Sequence, residues 1–370
     1  MDIRCGIIGL GFMGMTHFEA LRSVTGAHVA AIATRDPRKR AGDWSGIQGN
    51  FGPRGSATTD LGDIKTYSTA QELLRDPEID LVQICLPTDQ HESATIEALQ
   101  HGKHVLVEKP IAVELEAAQR MLAAAQTAGR MLMVAHPLPY FPEFHWACEH
   151  VTQRRSGKLL GASFRRVIAP PDWGEGFQDF RKLGGWGIDL HIHDNHLIQV
   201  LCGQPRGVFS RGRLKEGFIE HVSTQYLFDD PDLTVSCISG GIAAAPLKFA
   251  QSFELFCEEG TLQFDAGTYG PDWVVNRPAI LLKNSGEIET PPAQENPSWC
   301  SAYTLEIQAA VDAIRSQTMP VELDPHSALL ALTLCYAEAR SIEQGTAVLL
   351  EEMSPDIRSL AVTPASNSGQ

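Results

Sequence analysis

The sequence predicts a two-domain α/β protein. A doubly wound parallel sheet is expected over residues 1–135, an α+β domain on a large, mostly antiparallel sheet over 136–353, and a polar tail over 354–370. Three observations predict this. Short apolar runs alternate with helical stretches through residue 135, the pattern of a parallel sheet covered on both faces. The glycine pattern Gly9-Leu10-Gly11-Phe12-Met13-Gly14 ends the first apolar run and opens the first helix. From Leu159 the apolar period changes to two, with tight turns, as in antiparallel strands. A length of 370 residues exceeds what one core usually serves, in keeping with two domains.

Taken in order, Ile3–Ile8 is the first strand, and the helix after Gly14 carries His17, Ala20, Leu21 and Val24 on one side. Val29–Ala33 is the second strand. Asp43–Gly62, rich in glycine, reads as a long loop before the third, either over the adenosine end of a cofactor or simply at the surface. Leu81–Leu86 and His104–Val107 are strands on either side of a helical Glu92–Leu99, and alanine-rich Val113–Ala128 is a helix closed by Gly129. Met131–Ala135 completes the series. In the second domain Leu159–Ile168, Gly207–Arg213, His221–Phe228 and Leu233–Ser239 read as strands, with a hairpin turn at Asp229–Asp232. Phe253–Cys257 and Thr261–Phe264 flank a turn at Glu258-Glu259-Gly260. Helices return at Ala302–Ser316 and His326–Gln344.

A formal charge of -15 argues against nucleic acid as partner, because a phosphate backbone needs a basic footprint. Eight cysteines are scattered without CxxC pairs and read as buried free thiols of a reducing compartment. No apolar run is long enough to span a bilayer and no signal peptide precedes Ile3, so a cytoplasmic protein without membrane partner is expected.

A glycine pattern between strand and helix is a dinucleotide fingerprint. The first glycine makes the tight turn, the second lets the pyrophosphate approach, and the third allows close packing, with helix N–H groups as donors. A ribose-binding carboxylate is expected about 20 residues on. Thr34 stands there, followed by Arg35, Asp36, Arg38, Lys39 and Arg40. A hydroxyl and an arginine suit a 2′-phosphate, so NADP is favoured over NAD; in the alternative, Asp36 holds the ribose and the basic run is solvated.

Lys109, in Glu108-Lys109-Pro110, ends a strand at the edge where open α/β sheets bind ligands, and it can donate to a developing alkoxide. Behind Gly184-Gly185, Asp189 and His193 are four apart, sharing a helix face if the helix starts near Trp186. Asp189 then orients His193 as acid/base. A metal on Asp189, His193 and His196 is the rival reading, but no fourth ligand pattern is visible and no metal is expected. Tyr140, Trp173, Phe177 and Trp186 are candidate walls of a substrate pocket, against the commoner fate of core packing.

Together these residues resemble the Gfo/Idh/MocA family of oxidoreductases. The match runs through Gly9–Gly14, Pro87-Thr88-Asp89-Gln90-His91, Gly102 to Pro110, and the GG…DxxxH run ending at His193. The resemblance implies a Rossmann domain and an open-faced sheet domain that often forms the oligomer contact. It also implies a nicotinamide cofactor and sugar or polyol substrates. It gives Lys109, Asp189 and His193 as the catalytic set, with Thr88 and His91, in the turn that begins at Pro87, and Glu108 near the cofactor. Two positions depart from the family pattern near the expected substrate: His196 stands where many members have Asp, and Pro139-Tyr140 where Arg-Phe is frequent.

The function expected is hydride transfer between NAD(P) and a secondary hydroxyl or ketone of a sugar or cyclitol, by a homo-oligomer, dimer or tetramer, built on the C-terminal sheet. Lys109, Asp189 and His193 are expected to converge at the nicotinamide end. The alternatives are a glycoside-cleaving enzyme using transient NAD-dependent oxidation and a non-enzymatic dinucleotide-binding sensor.

Overall fold

The computed structural model describes residues 2–49, 52–170, 179–293 and 298–353. The expected tail 354–370, Trp173 and Phe177 lie outside the described residues. Two compact units are present: Met1–Tyr140 with Gln294–Ala328, and Phe141–Ala293 with the chain from Leu329 onward. The first boundary falls close to the expected residue 135. The return of Gln294–Ala328 to the first unit was not part of the expected division.

In the first unit the chain runs β1 (Ile3–Ile8), α1 (Phe12–Leu21), β2 (Ala27–Ala33), α2 (Pro37–Arg40), β3 (Lys65–Tyr67), α3 (Ala70–Leu74) and β4 (Leu81–Ile84). It continues through α4 (His91–Gln100), β5 (His104–Glu108), α5 (Leu115–Ala128) and β6 (Leu132–Ala135). Among the described residues these strands form a six-stranded sheet in the order β3-β2-β1-β4-β5-β6, and each pair is parallel. This is the doubly wound arrangement expected. β1, β4, β5 and β6 are apolar and almost wholly buried, as strands covered on both faces must be. α5 ends as expected at Gly129, which takes the left-handed conformation with φ +60°. The order reverses between β1 and β4, so the crevice for a ligand lies beyond their carboxyl ends.

The second unit holds α6 (Pro142–Thr152), β7 (Leu159–Ile168), α7 (Phe180–Leu183), α8 (Ile192–Cys202), β8 (Gly207–Lys215), β9 (Phe218–Leu227) and β10 (Thr234–Gly240). β11 (Leu247–Cys257), β12 (Gly260–Tyr269), β13 (Asp272–Lys283) and β14 (Ile288–Glu289) follow. After them come α9 (Ser301–Ser316), which belongs to the first unit, α10 (Pro325–Gln344) and β15 (Val348–Leu349). The nine-stranded sheet among the described residues is ordered β14-β13-β12-β11-β7-β10-β9-β8-β15 and is antiparallel except at β7–β10. Val222, Thr224 and Tyr226 of β9, Val235 and Cys237 of β10, and Phe253 and Leu255 of β11 are buried on one face. The alternate positions Phe209, Ile238 and Phe256 are exposed on the other.

One strand was not foreseen and one expectation is corrected here. The strand at Asp272–Lys283 escapes a period-two search because its residues Asp272–Pro278 are all exposed and carry no alternation. The helix expected from Trp186 begins as a π-helical turn, Gly187–His191, before α8 takes over. The Ile192 N–H reaches Gly187 O, and the Cys335 thiol donates to the same carbonyl at 3.3 Å. A Cβ on Gly187 would meet the Ile219 side chain at 3.0 Å, so the absence of a side chain lets the widened turn lie against β9.

Candidate active site

The fingerprint turn is built by exclusion of side chains. Gly9 has φ +93°, and a Cβ there would stand 2.6 Å from the Cys85 carbonyl. A Cβ on Gly14 would lie 2.0 Å from Gly9 O, so α1 and the turn close on each other only with glycine. Gly11 is different: no described residue lies within 4 Å of where its Cβ would be. It is the N-cap of α1, and no side chain caps that helix. Exposed Gly11 and half-buried Phe12 and Met13 therefore leave the helix start open to a diphosphate, which fits a dinucleotide.

Beyond β2, Thr34 is half-buried, and Arg35 and Arg38 are exposed. Asp36 is engaged as the N-cap of α2, accepting the Arg38 N–H at 2.9 Å. The Lys39 ammonium donates to Leu10 O at 2.7 Å and so stands at the glycine turn. The long loop is anchored by Trp44, which is buried edge-on against Phe18 and donates its indole N–H to Lys39 O at 2.9 Å.

The turns after β1, β4 and β5 lie along the same edge of the parallel sheet. Pro87 is exposed and Thr88 half-buried. His91 is buried, its ring nitrogens each 2.9 Å from a backbone carbonyl, Leu86 O and Pro110 O, so it ties the β4 turn to the β5 turn. Lys109 is half-buried at the end of β5, and the Lys109-Pro110 peptide is cis. Glu108 points into the unit. Its Oε1 accepts from His17 Nε2 at 2.9 Å and its Oε2 from the Lys109 backbone N–H at 3.2 Å.

This buried group behind Lys109 was missed by sequence reasoning. His17 is fully buried and its second nitrogen lies 2.7 Å from Gln83 Oε1. Burial works against a charge on His17. Cys85 and Glu108 work the other way and lift its pKa well above the usual imidazole value. Burial also raises the Cys85 pKa, while the neighbouring His17 works to lower it. Glu306 of α9 is wholly buried, with no hydrogen-bond partner at either carboxyl oxygen among the described residues; burial and the nearby Glu108 raise its pKa well above the carboxylate range. A glutamate amid the apolar run of α9 was the signal available.

In the second unit, Asp189, Leu190 and His193 are the half-buried positions of a segment otherwise buried from Gly184 to Leu201. Asp189 and His193 are thus the titratable groups that this helix presents outward. His191 points inward, with Nε2 2.9 Å from Glu338 Oε1. Burial opposes its charge, but Glu338 prevails and its pKa is raised well above the usual value. His191, Asp194 and Cys237 bring possible metal-ligand atoms within 4.8 Å of one another. Asp194 is already paired with Arg166 at 3.0 Å and His191 with Glu338, so the group is balanced in charge as it stands. These are not the residues of the rival metal reading.

Three residues expected beside substrate are buried: Tyr140 at 6%, Trp186 at 5% and His196 at 0% exposure. Trp186 packs edge-on against Phe180, and a Cβ on Gly241 would meet its indole nitrogen at 2.4 Å. No helix among the described residues is long and apolar enough to cross a membrane.

Residues 3–136 match the model of an oxidoreductase family with an NAD-binding Rossmann fold, GFO_IDH_MocA. The chain is 30% identical to 1,5-anhydro-D-fructose reductase of Ensifer adhaerens over 300 residues, 76% of this chain and 84% of that protein. It is 27% identical to scyllo-inositol 2-dehydrogenase (NAD(+)) of Bacillus subtilis over 362 residues, 95% of this chain and 97% of that protein. Among solved structures, a probable dehydrogenase from Thermotoga maritima shares the fold with a TM-score of 0.75 at 24% identity, over 95% of this chain and 100% of that one. With its glycine turn, its lysine beyond β5 and its two-sheet architecture, the chain belongs to the Gfo/Idh/MocA family of NAD-binding oxidoreductases.

Proposed function

We propose that the protein transfers a hydride between NADP or NAD and a secondary hydroxyl, or the matching ketone, of a cyclic polyol or sugar. The observation that carries this reading is Lys109 at the carboxyl end of β5, on the same sheet edge as the open glycine turn. The bound nicotinamide supplies the hydride acceptor or donor. His193 takes the hydroxyl proton, Asp189 orients its ring, and the Lys109 ammonium steadies the charge that develops on the oxygen. Base and ammonium must serve the same oxygen, because a hydride leaves only as the proton is taken and the charge is met. The names of the anhydrofructose and inositol relatives support a polyhydroxylated ring as substrate.

NADP is the cofactor this reading favours. Arg35 stands exposed beside Thr34, while Asp36 is occupied in capping α2. The exposed apolar positions Phe209, Ile238 and Phe256 support a homo-oligomer formed through the open face of the second unit's sheet.

The test is turnover of a panel of sugars and cyclitols with NAD and NADP, followed by absorbance of the reduced cofactor. Lys109→Ala and His193→Ala should each lower turnover by about 10²–10⁴-fold with dinucleotide binding retained. Full turnover in either variant refutes the assignment. Release of a sugar from a glycoside with no net change in reduced cofactor would assign the glycoside-cleaving activity instead.

A further inference from the structure

We propose that His17 is a positioning residue for Lys109, acting through Glu108 as a charged clamp inside the dinucleotide-binding unit. The proposal rests on the reading of Lys109 as the group that steadies the substrate oxygen. Its ground is geometric. Both ring nitrogens of His17 face oxygen acceptors, Gln83 Oε1 at 2.7 Å and Glu108 Oε1 at 2.9 Å. Acceptors at both nitrogens suit a ring that donates from each, and the carboxylate of Glu108 at one of them favours the charged form. The other oxygen of Glu108 accepts the backbone N–H of Lys109 at 3.2 Å. The chain of contacts thus runs from α1 through the side chain of β5's last residue to the residue that reaches solvent. Buried charge pairs lose most when one partner is removed, so Glu108 keeps this place only while His17 holds its proton.

The groups that face His17 come from three directions. Cys85 and Gln83 approach from β4 and its end, Glu108 from β5, and Tyr303 and Glu306 from α9. Burial raises the pKa of both the thiol and the Glu306 carboxyl. Of these groups Glu108 is the one whose carboxyl oxygen lies 2.9 Å from a ring nitrogen of His17, and loss of the His17 proton at high pH would undo the clamp.

Two variants test this. His17→Gln keeps an N–H for Glu108 but has no proton to lose, and His17→Met removes both. The readings are the pH profile of kcat, the Kd for NADPH by fluorescence, and the melting temperature. His17→Met should lower kcat by about 10–100-fold, the scale of a displaced catalytic group, with the NADPH Kd within about twofold. His17→Gln should restore most of kcat near neutrality, and its alkaline limb should move away from that of the wild type. A His17→Gln profile superimposed on the wild type overturns the proposal, and so does a folded His17→Met protein with undiminished kcat. If His17→Met does not fold, the His17→Gln profile decides alone. Lys109→Ala separates the two levels of argument. Full turnover in that variant overturns the role of Lys109 and this proposal with it. A slow Lys109→Ala beside an unaffected His17→Met overturns the His17 clamp alone.

Discussion

The glycine turn offers a pair of substitutions whose outcomes differ for a geometric reason. In Gly14→Ala the new Cβ would lie 2.0 Å from Gly9 O and 3.1 Å from Gly9 C. An unstrained carbon–oxygen contact needs more than 3 Å, so the turn or α1 must shift by roughly 1 Å, and overpacking of this kind costs about 1–3 kcal/mol. With about 2–4 °C per kcal/mol for a unit of this size, the melting temperature should fall by about 2–12 °C, and the NADPH Kd should rise at least tenfold because the helix start moves. Gly11→Ala meets no described residue within 4 Å, and its φ of -92° is open to alanine. At an N-cap the change costs about 1 kcal/mol or less, so the melting temperature should stay within about 4 °C. Its methyl group nevertheless occupies the approach of the diphosphate, and dinucleotide affinity should fall by about tenfold or more. Calorimetric titration with NADH and with NADPH, with thermal unfolding run in parallel, measures both. Wild-type affinity in Gly11→Ala refutes the placement of the diphosphate, and wild-type stability in Gly14→Ala refutes the steric argument.

Arg35→Ala should weaken NADP by about 1–3 kcal/mol and NAD hardly at all; equal losses for the two in a binding titration would contradict the 2′-phosphate assignment. Glu306→Gln addresses stability against pH. The Glu306 pKa is raised in the fold, so its contribution is complete below the unfolded value of 4.5 and is lost as pH climbs toward the folded value. The wild type should lose about 1.4 kcal/mol per pH unit from this group above pH ~4.5, and the glutamine variant should not; denaturation curves from pH 5 to 8 that stay parallel for both proteins would contradict it. Arg166→Met leaves Asp194, which is 2% exposed, with only His191 at 3.5 Å as a cationic neighbour among the described residues, and should cost about 3 kcal/mol by denaturant unfolding, a loss under 1 kcal/mol being the contrary result. The wild type should have the mass of a dimer or tetramer by light scattering, and Ile238→Lys with Phe256→Lys should reduce it to that of one chain; a wild-type mass of one chain would contradict the proposed oligomer.

Local periodicity made most of the fold legible. β7 spans Leu159–Ile168 as read, because its residues alternate between a buried and an open face. The glycine turn and Lys109 were legible because backbone constraints recur at fixed spacing. What escaped depends on partners far along the chain. His17 meets Gln83 and Glu108 at separations of 66 and 91 residues, and nothing local to α1 marks them. The apolar stripe of α9 announces a helix, but not that its partner is α1. The π-helical turn is hidden for another reason: it is set by Ile219 and Cys335 pressing on Gly187, while its sequence still suits an ordinary helix.

The return of α9 to the first unit bears on how the chain matures during synthesis. Thr304 of α9 bonds Ala20 O at 3.3 Å, and Gln308 pairs with the Thr25 backbone at 2.8 and 3.3 Å, so part of the cover over α1 is encoded late. Between Tyr140 and Ala328 the ribosome must add 188 residues (328 − 140), which takes about 10–40 s at roughly 5–20 residues per second. For that interval the nascent dinucleotide-binding unit has its parallel sheet but lacks the helix that seals His17 and Glu108 from water. Its glycine turn is complete long before its interior is, and a cofactor present in the cell could meet the turn while the rest of the protein is still being made.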